Sequence, residues 1–146
     1  MDVVNIFSAE NLDGRIDVAR AVGSTATVMF IYDLAPGRSS SPYHYEYEEE
    51  WLIVLDGEVA VRTPDRTQPL ERGDIVCFPA GPGGAHRVMC RGDLAAHVLM
   101  FSSAREPAVA VYPDSGKIGV WPGNDADNLM VRRADGNVGY YEDETE

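Results

Sequence analysis

The sequence predicts an all-β fold, a sandwich or barrel, on three observations. Gly and Pro punctuate the chain at short intervals, at Gly37, Gly57, Pro64, Gly73, the "AGPGGA" of 80–85, Gly92 and Pro107. The runs between them are β-branched, aromatic or alternating, and no stretch carries a helical apolar period. Each strand follows from its run and its punctuation. The first two, 16–22 and 25–33, are apolar and β-branched segments, and the second is closed by Pro36 and Gly37. The third, 43–47, alternates Tyr with His and Glu. Strand 50–55 ends at Asp56-Gly57, a hairpin signal that hands the chain to 58–63 and then to Pro64. Gly73 and Pro79 bracket 74–78, the Gly-rich loop opens 85–90, and 95–102 and 108–112 close the series on either side of Pro107. The segment "DADNLMVRRADG" at 125–136 reads as either a turn of helix or a last hairpin.

With 146 residues, 45% of them hydrophobic, the chain has the size of one domain with a substantial core. Its 24 acidic residues against 12 basic ones give a formal charge of −12, which repels phosphate backbones and anionic headgroups. Nucleic acid and membrane are therefore not expected as partners. No run approaches the roughly 20 apolar residues of a bilayer span, and the acidic start lacks a signal-peptide pattern, so a cytoplasmic location is expected. Cys77 and Cys90 fall in apolar runs outside any CxxC pattern and read as reduced, buried thiols.

The chemistry concentrates in "HYEYEEEW". Residues two apart share a strand face, so His44 and Glu46 point one way while Tyr43, Tyr45 and Tyr47 point the other. Glu48 and Glu49 fall at a turn and read as solvated. Glu50 opens the next strand on the face of Leu52 and Val54, which brings it beside the first pair if that face is interior. Further on, a strand, a Pro- and Gly-rich loop and a second strand carry His86. The three tyrosines of the opposite face are expected against a second sheet or a partner subunit. His97 reads as a satisfied surface histidine, and "DSGK" and "DADN" lack the residues that phosphate and calcium loops require.

The order Gly37, His44, Glu46, Glu50, Gly57, then Gly73, Pro79, Gly81 and His86 resembles the two-part motif of the cupins, G(X)5HXH(X)3,4E(X)6G and G(X)5PXG(X)2H(X)3N. His44 takes the first histidine, Glu50 the glutamate and His86 the last histidine. Glu46 stands at the second histidine and Cys90 at the asparagine, and the loops before His44 and His86 run one and two residues longer. The whole chain resembles small single-domain bacterial cupins. The resemblance implies a double-stranded β-helix, or jelly-roll barrel, over 1–113, with motif one at 37–57 and motif two at 73–90. Residues 114–146 then form an extension packed on the barrel or partly loose.

It further implies one divalent metal held by His44, Glu46, Glu50 and His86. Two imidazoles with two carboxylates suit Mn, Fe(II), Ni or Zn, and the extra anionic oxygen tilts the choice toward Mn or Fe(II). Glu50, or Glu46 if it is not a ligand, is the available general base. The ligand would be a small molecule, and a homodimer is expected. Three functions are compatible with this set. One is a metal-dependent enzyme, an isomerase, decarboxylase or oxygenase. The second is a non-catalytic module binding a sugar, a polyketide-like molecule or another small ligand. The third is a structural staple with a closed coordination sphere.

Overall fold

The chain was analysed as a computed structural model that describes residues 1–8, 14–140 and 142–144. Its strands in chain order are β1 (Arg15–Asp17), β2 (Thr27–Leu34), β3 (Tyr45–Glu46), β4 (Glu50–Asp56), β5 (Glu58–Arg62), β6 (Thr67–Glu71), β7 (Ile75–Phe78), β8 (Arg87–Cys90), β9 (Ala96–Ser103), β10 (Ala108–Tyr112), β11 (Lys117–Trp121) and β12 (Leu129–Arg132). Two four-residue helical turns, α1 (Val18–Ala21) and α2 (Arg133–Gly136), complete the regular structure together with short 3-10 turns.

The strands form three antiparallel sheets in the orders β1-β2-β9-β4-β7, β12-β11-β10-β3 and β6-β5-β8. Alternation along β2, β4 and β9 sends Leu34, Leu52, Val54, Val98 and Met100 inward, where they meet Val59, Val61 and Val88 of the three-stranded sheet in the main core. Tyr43 and Tyr45 lie on the far side of β3 from His44, buried with Ala85 and Val111 in a second, smaller cluster. They are covered within the chain, so they offer no surface to a partner; only Tyr47 of the three stays exposed.

Several elements differ from the sequence reading for local reasons. The segment 16–22 is a strand for two of its residues only. The Asp17 side chain then accepts from the Arg20 N–H, caps α1 and turns Val18 and Ala19 into the interior. Strand β6 was not foreseen because Pro69 sits in it; it is tolerated because β6 is an edge strand, pairing only with β5. Residues 125–136 take the hairpin alternative, β12 pairing with β11, with a 3-10 turn before it and α2 after.

The Asp56-Gly57 turn is tight, but it is not the hairpin that the sequence suggests: β4 pairs with β7 and β9 and β5 with β6 and β8, so the turn carries the chain from one sheet to another. Gly57 has φ +78°, and a Cβ there would lie 2.8 Å from Ala96 Cα. Among the described residues no helix is long and apolar enough to cross a membrane.

Candidate metal centre

His44 and His86 stand 42 positions apart in sequence, yet their backbones are bonded to each other. His44 N–H donates to His86 O at 3.1 Å and His86 N–H to His44 O at 2.8 Å. This isolated bridge extends the short β3 toward β8 and holds the two imidazoles side by side, 4.9 Å between centroids, with His44 lining a cavity and His86 buried behind it.

Each ring is then oriented by a carbonyl two residues upstream. His44 Nδ1 lies 3.0 Å from Pro42 O and His86 Nδ1 2.9 Å from Gly84 O. A carbonyl oxygen only accepts, so Nδ1 carries the proton and, in the neutral ring, Nε2 presents a lone pair. Both Nε2 atoms face Glu50 Oε2 at 3.5 Å. Ring packing holds the pair in place, since the His86 imidazole stacks on Phe78 at 3.7 Å between centroids and His44 on Tyr112 at 5.8 Å.

The result is two lone pairs and a carboxylate oxygen converging with no proton donor among them. His86 is 1% exposed and its Nε2 has no hydrogen-bond partner. A buried polar atom in that condition costs about 1–3 kcal/mol unless something fills the gap. One donor atom each from His44, Glu50 and His86 lies within 4.8 Å of the others, a spacing that a divalent cation between them would satisfy. The residues present therefore fit a metal ion. Glu46, expected as a further ligand, sits at the edge of this trio with Oε1 3.9 Å from His44 Nε2.

Electrostatics tell the same story for the metal-free protein. Burial, reinforced by the Glu50 charge, pushes the Glu46 carboxyl up to about 7. Burial would depress His44, but the Glu50 carboxylate beside it raises it overall. Burial lowers His86, with Glu50 opposing. A cation in the centre removes the conflict between neighbouring carboxylates.

The cavity above the cluster measures about 540 Å³, and Phe30, Tyr32, Met100, Tyr112 and Trp121 are among its walls. Glu48, read from sequence as a solvated turn residue, lines this cavity and accepts from Ser103 Oγ. His97 lies outside the cluster, its Nδ1 3.4 Å from Asp33 Oδ1. Cys90 is buried in the core with Sγ donating to Leu94 O at 3.2 Å, and both cysteines are free.

Gly84 gives the site a backbone dependence that can be tested. A Cβ there would collide with Pro79 O and come within 2.8 Å of Pro79 C. Gly84→Ala is expected to shift the carbonyl that orients His86 and to weaken metal affinity about 10–100-fold, the usual loss when a ligand's orienting partner is disturbed. Gly83→Ala, where a Cβ meets nothing within 4 Å, is the control.

Residues 30–102 match the Cupin domain family. The chain is 26% identical over 102 residues to the tetracenomycin polyketide synthase protein TcmJ of Streptomyces glaucescens; the match covers 70% of this chain and 64% of that protein. A crystal structure of a sugar phosphate isomerase from a cupin superfamily, from Silicibacter pomeroyi, superposes with a TM-score of 0.76 at 25% identity, covering 88% of this chain and 82% of that one. The polyketide cyclase RemF from Streptomyces resistomycificus, at 19% identity, TM-score 0.61 and coverage of 74% and 83%, shares the fold.

Proposed function

Because this chain belongs to the cupin domain family and folds as a double-stranded β-helix, we propose that it binds one divalent metal through His44, Glu50 and His86, with Glu46 as the fourth donor, and acts on a small oxygen-bearing molecule in the cavity above. The observation that carries this reading is the buried, unpartnered His86 Nε2 aimed at Glu50 Oε2. Two histidines with carboxylates suit Mn or Fe(II), with Zn and Ni as competitors.

When bound, the metal would supply Lewis-acid polarisation of a substrate oxygen. The chain's own residues do the rest. Pro42 O and Gly84 O hold the imidazoles in the tautomer that presents Nε2. Glu50 meets both imidazoles through Oε2, which leaves Oε1 to take up and return a substrate proton. Phe30, Tyr112 and Trp121 limit water around the bound molecule. An isomerisation needs only these parts, and the isomerase among the structural relatives supports that class over one demanding a protein nucleophile.

Elemental analysis of the purified protein tests the reading: about one Mn or Fe per chain is expected. A chain that holds no divalent metal after incubation with excess Mn and Fe(II) overturns it.

A further inference from the structure

We propose that the cavity takes a small planar carboxylic acid, its anion on Arg15 and its ring against Trp121. Both residues lie outside the family-matched 30–102, on β1 and β11, so the strands flanking that segment finish the ligand site. The inference rests on the metal reading for the cavity's charge balance, not for the placement of these two side chains.

Arg15 is exposed at the cavity's rim, with its guanidinium carbon 4.7 Å over the Phe30 ring. It stands directly opposite Tyr32 in the β1–β2 register. Among the described residues it makes no ion pair with a carboxylate. In a chain with twice as many acids as bases, a guanidinium that has no carboxylate partner among the described residues and lies over a ring is a preorganised fork for a ligand's carboxylate. Tyr32 joins it to the cluster: burial raises the phenol, Arg15 opposes, and the Glu50 and Glu46 charges add to the rise. Arg15, Tyr32, Glu46 and Glu50 all line the one cavity.

Trp121 occupies a seat prepared for it. A Cβ on Gly119 would collide with the indole, so glycine at that position lets the ring lie against the strand while lining the cavity. With Phe30 and Tyr112 it offers flat apolar faces, which suit a flat ring better than a puckered polyol. Besides the neutral phenols Tyr32 and Tyr112, the ionisable side chains lining the cavity are Glu46, Glu48, Glu50, Arg15, Arg105 and His44. Three carboxylates against two guanidiniums leave it one charge negative with neutral histidine, and a dication makes it one charge positive. An anionic ligand is then admitted by the metal-loaded protein.

The two tryptophans make this measurable, since Trp51 stacks on Phe101 at the sheet's outer face and Trp121 lines the cavity. The probes are 4-hydroxybenzoate and its neutral amide, 4-hydroxybenzamide, titrated into Mn-incubated protein with indole fluorescence as readout. The acid is expected to quench wild type and Trp51→Phe but not Trp121→Phe. It is expected to bind about tenfold more tightly than the amide, the scale of one charge-assisted hydrogen bond. Arg15→Gln should erase that preference while leaving the amide's affinity unchanged, and Arg15→Lys should restore part of it.

The inference is overturned by a preference that survives Arg15→Gln, by quenching that follows Trp51, by binding of neither probe, or by glucose 6-phosphate binding more tightly than the acid. Metal content measured on the same samples separates the two readings. Metal-loaded wild type that fails these tests sinks this inference alone, whereas metal-free wild type with an Arg15-dependent preference sinks only the metal reading.

Discussion

Removing the proposed divalent metal with a chelator is expected to lower the melting temperature by about 5–10 °C at pH 8, and by less at pH 5. The size follows from linkage: a ligand present at about a hundred times its Kd stabilises the native state by about 2.7 kcal/mol, and a domain of this length shifts by about 2–4 °C per kcal/mol. The pH dependence comes from the metal-free protein. Glu46 is raised to about 7, so its contribution to stability is complete below the unfolded carboxyl range and is lost as pH rises through about 7. His44 is raised as well and loses its contribution in the same direction, above its unfolded value near 6.5. His86 is lowered and works the other way, costing stability as pH falls. Two of the three groups thus weaken the metal-free protein on going from pH 5 to pH 8, where deprotonated ligands also bind metal best. Calorimetric melts with and without chelator at the two pH values measure this, and equal melts at pH 8 would contradict it.

The second large effect belongs to Glu50. Glu50→Gln is expected to reduce bound metal from about one per chain to near zero, as is His86→Gln, while Glu46→Gln weakens affinity only about 10–100-fold because Glu46 stands at the edge of the trio. Yet at pH 8 metal-free Glu50→Gln should melt about 2–4 °C above metal-free wild type. The cause is hydrogen-bond accounting. In the wild type two imidazole lone pairs face an acceptor-only carboxylate at 3.5 Å, and glutamine brings the N–H donor that this arrangement lacks. One buried hydrogen bond contributes about 1 kcal/mol. Loss of metal and gain of thermal stability in one variant would separate ligation from folding; a variant that loses both would mean that Glu50 holds the barrel together by itself.

How much of this the sequence carried depends on the range of the signal. Alternation in His44, Tyr45 and Glu46 sorted the cavity-lining side chains from the packing one, and the turn at Gly57 fixed where β4 ends. The trio of His44, Glu50 and His86 was legible because each sits at a motif position whose spacing survives small changes in loop length. What stayed hidden depends on tertiary direction. Glu48 looks like a solvated turn residue until Ser103, 55 positions away, draws its carboxylate inward. Pro69 and the charged run around it masked β6, since propensity argues against a strand that only an edge position permits. Trp121 follows a polar, Gly-rich stretch that reads as an appendage, and nothing local says that pairing with β10 turns its ring toward the cavity. The alternation of Val28, Phe30 and Tyr32 along β2 was a usable sign of a cavity wall, since those three share one face.

The backbone bridge between His44 and His86 has a bearing on the order of events as the chain folds. Its two hydrogen bonds join strands from different parts of the sequence, and contacts of such separation form only after a large loop entropy has been overcome. Before that moment each imidazole is a solitary donor with weak hold on a cation, and Glu50 has only one neighbour to share it with. Metal capture should accordingly lag behind formation of local hairpins such as β5-β6, and a cation added during refolding should slow unfolding of the closed barrel far more than it speeds the search for it.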